Sequence, residues 1–192
     1  PYSINTEIFS PTDRSEAKYA IDVAPDCFTI LVGAESAKER RKGFDLLMTT
    51  LQQLRKNPEV EMLIKRGKLL FWSFGGSSPE IEKLGIPFRS FGYVNDDRKL
   101  AQIYSASNLV IVPSYQDNYP NLMIEAMSCG SPVAAFAVGG LKDLVTSDVG
   151  MLAPAFDTTE LAKQVARGIL DPKKLSLQGQ LARERILDLC PI

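Results

Sequence analysis

The sequence predicts an α/β domain with a Rossmann-like, doubly wound parallel sheet, and three observations carry that prediction. Short apolar runs alternate with segments of helical periodicity along the whole chain. Several of these runs empty into a glycine or proline turn just before the next helix, as Val32 does at Gly33 and Val112 at Pro113. With 192 residues, 45% of them hydrophobic and 23% charged, the chain can close one sizeable core, and no repeat, low-complexity segment or linker divides it. Alternating elements of this kind imply right-handed crossovers and Rossmann strand order.

Residues 1–26 read as a polar leader in which Ile8 and Phe9 make apolar contacts and Thr12 or Asp13 caps a short helix through Ile21. Residues 28–32 form the first buried strand, ending at Gly33. The loop AESAKERRKG follows, with Lys38, Arg40, Arg41 and Lys42, and then Phe44, Leu47, Leu51 and Leu54 recur at helical spacing. Taken alone, that charge run is a solvated face. A second strand spans 68–74 and ends in Gly75-Gly76, after which Ser77, Ser78 and Pro79 start a short helix to Leu84. A third strand spans 88–94 and leads into Asn95, the cap of a helix with Leu100, Ile103 and Tyr104 on its inward face.

The stretch 110–145 concentrates the candidate chemistry. The fourth strand breaks at Pro113 and crosses a polar loop into a helix that Asn118 caps, with Pro120 in its first turn, where a missing N–H costs nothing. Leu122, Met123, Ala126 and Met127 form the apolar face of that helix. Gly130, a buried run over 132–138 and the pair Gly139-Gly140 then open another helix. A sixth strand over 150–154 and helices over 158–170 and 175–189 finish the unit. In such sheets anions bind at the carboxyl ends of strands, beside helix N-termini. A bound diphosphate would meet the N–H groups of Asn121 and Leu122. Asp117 and Glu125, with seven residues between them, bracket this helix start, and Glu125 can accept from paired sugar hydroxyls. The structural alternative is that both acids only favour the positive end of the helix, worth roughly 0.3–1 kcal/mol each.

Several functions are excluded. Lys and Arg number 22 against 23 Asp and Glu, so bulk charge does not mark a nucleic-acid binder. The chain has no histidine, which removes Ser-His and Cys-His chemistry and the common histidine metal sites. Cys27, Cys129 and Cys190 lack metal-type spacing and read as reduced, buried thiols of a cytoplasmic protein. No apolar run has the length of a secretory signal or a membrane span. The first strand lacks the G-x-G-x-x-G of a dinucleotide-dependent oxidoreductase.

An acidic residue, seven residues, a glutamate, then A-M-x-C-G-x-P-V and a glycine pair resembles the nucleotide-binding half of retaining glycosyltransferases with the GT-B fold. The block SYQDNYPNLMIEAMSCGSPVAAF is more closely similar to group 1, or family 4, glycosyltransferases of bacterial polysaccharide synthesis. The A-M-x-C-G-x-P-V block points away from the sugar-nucleotide 2-epimerases that share the GT-B plan. The resemblance implies that residues 1–26 are the interdomain hinge, with Asn5, Phe9 and Pro11 matching it, and that residues 27–192 are the donor-binding domain of a chain trimmed at both ends and lacking its N-terminal acceptor domain.

Residue by residue, the resemblance implies that Gly33 and the K-G of Lys42-Gly43 lie at the donor's diphosphate. Ala34 stands where the family has an arginine, so either Arg40 or Arg41 reaches in from a lengthened loop or that contact is lost. Tyr93 and Val94 lie in the segment that meets the nucleotide base, although Tyr93 reads equally well as an ordinary strand aromatic. Asp117, usually a glutamate, touches the donor sugar; Glu125 clasps the ribose; Asn118, Asn121 and Leu122 surround the distal phosphate. Asp143 follows the glycine pair where a glutamate is frequent. Asp117, Glu125 and Lys42 are thus the expected catalytic residues. The implied enzyme is a metal-independent, cofactor-free hexosyltransferase that uses a UDP- or GDP-sugar and a glycan or lipid-linked acceptor, in the cytoplasm, with peripheral attachment at the inner face of the plasma membrane left open. The alternative is a non-catalytic nucleotide-sugar-binding or interaction domain, in which Asp117 and Ala34 mark a degenerate site.

Overall fold

The computed structural model describes residues 4–32, 40–75 and 79–190. Six strands, β1 (Phe28–Val32), β2 (Leu69–Ser73), β3 (Phe88–Ser90), β4 (Leu109–Val112), β5 (Val133–Phe136) and β6 (Gly150–Ala153), form one sheet in the order β3-β2-β1-β4-β5-β6, every neighbour parallel. The expected doubly wound plan is therefore present. The central strands β1, β4 and β5 are apolar throughout except for Thr29 in β1, because helices cover both of their faces. Strand order reverses between β1 and β4, and at such a switch point the strand ends diverge into a crevice.

The helices are α1 (Arg14–Tyr19), α2 (Phe44–Leu54), α3 (Pro58–Lys65), α4 (Pro79–Lys83), α5 (Asp97–Ala106), α6 (Asn121–Ser128), α7 (Leu141–Leu144), α8 (Thr158–Leu170) and α9 (Pro172–Leu189). Helices α2, α3 and α8 pack together on one face, and α1, α5, α6 and α9 on the other. Most of their starts follow local capping chemistry. Asp13 caps α1, Asn57 with Pro58 starts α3, and Asp171 with Pro172 starts α9 three residues before the expected Leu175. Asp96, not Asn95, caps α5, because its carboxylate accepts from the N–H groups of Arg98 and Lys99.

The third strand is shorter than expected and ends at Ser90. Gly92 has φ +64°, which breaks the extended chain, and its carbonyl accepts from Gly75 N–H at 2.7 Å. Tyr93 and Val94 consequently lie in a loop.

The leading segment is tied to the body by two arginines. Arg183 on α9 donates to Phe9 O at 2.7 Å, Ser128 O at 2.9 Å and Thr6 O at 3.0 Å. Arg14 reaches Ser105 O at 3.3 Å and Gly130 O at 3.2 Å. Beneath them Lys18, only 3% exposed, donates to Cys27 O at 2.7 Å, Asn108 Oδ1 at 2.8 Å and Pro25 O at 3.3 Å, between the starts of β1 and β4. Burial pulls the Lys18 amine down to about 8, helped by the neighbouring Arg14 charge.

At the far flank, the outward carbonyls of edge strand β6 meet side-chain amides. Gln178 Nε2 donates to Gly150 O at 3.0 Å and Ser147 O at 2.9 Å, and Gln164 Nε2 to Leu152 O at 3.3 Å. All three cysteines are buried and unpaired, and burial pushes the Cys129 thiol up to about 12. Among the described residues, no helix is long and apolar enough to cross a membrane.

Candidate functional site

The site is assembled where β1 and β4 end. Residues Arg40–Lys42 form a single 3-10 turn, and Gly43 after it has φ +69°. A Cβ on Gly43 would stand 1.9 Å from Pro113 O, so only glycine lets this basic turn press against the end of β4. Two bonds from the next loop hold the contact: Tyr115 N–H donates to Arg41 O at 2.8 Å, and Tyr115 O–H to Asp45 Oδ2 on α2 at 2.6 Å. Lys42 is thereby fixed with Nζ 3.0 Å from Asp117 Oδ2, and Arg41 Nη1 lies 3.7 Å from the same oxygen. The Lys42 and Asp117 side chains are 20% and 12% exposed, while that of Arg41 is 54% exposed.

Asp117 is held equally firmly from behind. A Cβ on Gly139 would fall 2.2 Å from Asp117 O, and one on Gly140 2.0 Å from Asn118 O. Gly140 N–H also donates to Asp117 O at 3.3 Å. The glycine pair therefore does more than open α7: it lets the β5–α7 turn support the acidic loop. Asn118 does not cap α6 as expected. Its carbonyl packs on Gly140, and Pro120, extended at φ −64° and ψ 131°, is the residue from which the helix starts. The first N–H bonded back to Pro120 O is that of Met123, at 2.9 Å, which leaves the N–H groups of Asn121 and Leu122 outside the helical ladder.

A cavity of about 330 Å³ opens between these parts, lined by Arg41, Lys42, Ser114, Asp117, Asn121 and Leu122 among others. It joins two cations to a helix N-terminus, an arrangement suited to a phosphate or diphosphate. Ser114 is 1% exposed, and its hydroxyl has no hydrogen-bond partner among the described residues. Larger cavities, of about 820 Å³ beside α1 and α5 and about 850 Å³ beside β6, α8 and α9, are lined by none of the sequence-predicted site residues.

Glu125 sits one turn further along α6 and outside the cavity wall. The wholly buried Tyr104, on α5, donates its O–H to Glu125 Oε2 at 2.7 Å and is itself set between Phe9 and Phe74, ring centroids 6.2 and 5.8 Å away. Tyr93 is 86% exposed on the loop after β3, three strand spacings from β4, or about 14 Å. Asn118 is exposed and does not line the cavity. Asp143 is exposed too, and its carbonyl accepts from Arg185. Gly33 and Ala34 fall outside the described residues.

Sequence reasoning thus brought Arg41, Lys42, Asp117, Asn121 and Leu122 to one place. It missed Tyr104 as the partner of Glu125, for which an inward tyrosine on a helix was the only signal, and Ser114, which nothing distinguished from its polar loop. Among the described residues, no three Asp, Glu, Cys or His side chains converge in a way that could hold a metal ion.

Known proteins resemble this chain in sequence and in fold. The family described as "Glycosyl transferases group 1" matches residues 28–171. A D-inositol 3-phosphate glycosyltransferase of Kribbella flavida is 31% identical over 94% of the chain and 44% of its own length. The chain therefore spans less than half of that relative. Among solved structures, the sucrose-phosphate synthase of Thermosynechococcus elongatus is 30% identical with a TM-score of 0.80, over 98% of this chain and 47% of the other. Anabaena HepE, solved in complex with UDP, shares the fold at 21% identity and TM-score 0.76, over 97% of this chain and 51% of its own.

Proposed function

The chain belongs to the glycosyl transferases group 1, and from that premise we propose that it is the donor-binding half of a retaining GT-B glycosyltransferase using a UDP- or GDP-sugar. The observation that carries the proposal is the convergence of Lys42, Arg41 and the α6 N-terminus on one cavity at the sheet's switch point. A nucleoside diphosphate leaving group develops negative charge as the glycosidic bond breaks. Lys42 and the N–H groups of Asn121 and Leu122 stabilise that charge without a metal. Three strand spacings, about 14 Å, separate β4 from β3, a span on the scale of an extended nucleotide with its diphosphate at α6 and its base beside Tyr93 and Val94. Glu125, oriented by Tyr104, accepts from the ribose hydroxyls between them. HepE, solved with UDP on the same fold, supports a uridine nucleotide as the first donor to try.

With Asp117 assigned to remote hydroxyls of the sugar, no nucleophile is left for the anomeric carbon, and retention is read as internal return in preference to double displacement, with attack on the face that the leaving group vacates. A companion domain orients the glycan or lipid-linked acceptor. The whole enzyme is cytoplasmic, and this half binds donor but transfers little alone.

Calorimetric titration of the 192-residue chain with UDP, GDP, ADP and their glucose conjugates tests the reading. One nucleotide is expected to bind in the micromolar to millimolar range, and Glu125→Ala is expected to weaken it by about 1–3 kcal/mol, the worth of a charged hydrogen-bond acceptor. Unchanged affinity in Glu125→Ala would remove the ribose role. Absence of all nucleotide binding would favour the non-catalytic interaction domain, for which the neutralisation of Lys42 by Asp117 is the specific argument.

A further inference from the structure

We infer that Asp117 is an internal counter-anion that biases the site towards the intact nucleotide-sugar and against the free nucleoside diphosphate, an inference that rests on the donor-site reading above. Without ligand, Lys42 Nζ is engaged by Asp117 at 3.0 Å, and Arg41 stands 3.7 Å from the same oxygen. Both cations face this fixed negative charge, so the cavity offers a diphosphate less attraction than it would with Asp117 neutral.

A diphosphate that takes Lys42 must draw it from a carboxylate that is only 12% exposed, where water poorly replaces the lost partner. The Asp117 backbone is supported from behind, its carbonyl packed on Gly139 and accepting from Gly140 N–H at 3.3 Å. Left behind, the carboxylate is an anion beside an anion.

The two ligands differ in how they answer this. An ionised carboxylate only accepts hydrogen bonds. The sugar of an intact donor brings hydroxyl donors to Asp117 and replaces the ammonium. The free nucleoside diphosphate brings no donor there and carries about one more negative charge on its terminal phosphate. Asp117 therefore tolerates the substrate and repels the product, which aids product release after transfer. The aspartate, shorter than a glutamate by one methylene, is part of this arrangement and not a sign of decay.

The experiment is titration of wild type, Asp117→Asn, Lys42→Met and the double variant with UDP and UDP-glucose, and with GDP and GDP-glucose. Asn keeps the shape and an acceptor but removes the charge. Asp117→Asn is expected to bind the free diphosphate about tenfold more tightly while its glucose conjugate is not tightened. In the Lys42→Met background, where Asp117 lacks its principal cation, adding Asp117→Asn restores part of the lost diphosphate affinity. Diphosphate affinity that is unchanged or weaker in Asp117→Asn, or equal tightening of both ligands, overturns the inference. So does failure of the double variant to improve on Lys42→Met. If wild type binds none of the four, the donor-site reading itself fails, an outcome distinct from the others.

Discussion

Two partly or wholly buried lysines mark the opposite ends of the same pair of strands, and they are built in contrasting ways. Lys18, near the starts of β1 and β4, is sealed at 3% exposure by two backbone carbonyls and an amide oxygen, with no carboxylate among these partners. Lys42, beyond their ends, keeps 20% exposure and shares its bond with a carboxylate beside a cavity. Neutral oxygens in fixed backbone cannot be exchanged for anything better, so the first lysine is a rivet joining residues 90 positions apart, Lys18 and Asn108. A carboxylate can pass to another donor and an ammonium to another anion, so the second is poised for ligand. The number of hydrogen bonds on a lysine says less about its role than whether its partners can leave.

The largest test of this contrast removes the support under Lys42. Gly43→Ala forces a Cβ towards Pro113 O at a positive φ, and stability falls by about 3 kcal/mol or the basic turn lifts away. Nucleotide binding is lost in either case, as denaturant titration and calorimetry together would report. If Gly43→Ala bound nucleotide normally, the fixed placement of Lys42 would be irrelevant.

Exchanging the two lysines in turn sharpens the contrast. Lys18→Ala is expected to cost about 3 kcal/mol of stability through orphaned buried acceptors while leaving the nucleotide affinity of folded protein intact. Lys42→Ala is expected to lose nucleotide binding clearly, with a stability cost of about 1–3 kcal/mol that comes from the carboxylate left without its cation and that Asp117→Asn relieves. A binding defect in Lys18→Ala would merge the two classes.

The smallest effect is a slope. The Lys18 amine titrates near 8 in the fold and near 10.5 in the unfolded chain. Below pH 8 both states carry the proton and the burial penalty is constant. Between 8 and 10.5 the unfolded chain alone holds it, so this group makes stability rise with pH, by at most about 1.4 kcal/mol per unit. Subtracting the Lys18→Ala stability curve from that of wild type isolates its contribution from those of Cys27 and Cys129, whose raised pKa values act in the opposite direction. A flat difference over that window would show that the amine is not buried as described.

Much of this was legible locally. Runs rich in apolar residues located six strands, although Arg89 and Ser90 make β3 mostly polar, and the glycines and prolines between the runs located the turns. Asp117 and Lys42 stand in short motifs, and both line the cavity beside the start of α6. The shortfalls are instructive. Asn57-Pro58 is a helix start readable from sequence, and it marks a helix, α3, that was passed over. Other features came from contacts between distant segments. Asn118 has a good capping side chain, yet packing on Gly140 and the extended Pro120 moved the helix start beyond it. Tyr104 meets Glu125 only because α5 and α6 lie side by side, and Ser114 is enclosed only once β4 is central. Propensity has no access to such pairings.

The amides of Gln164 and Gln178 carry a consequence for life in a crowded solution. An open sheet ends in a row of carbonyls that any passing extended chain can read as a template. At β6 those carbonyls already hold donors, supplied by side chains that imitate the peptide groups of a missing seventh strand. A would-be intruder must first displace hydrogen bonds from a glutamine anchored on a packed helix. Gln164 and Gln178, remote from any chemistry, thus compete at this flank with any strand that would pair there.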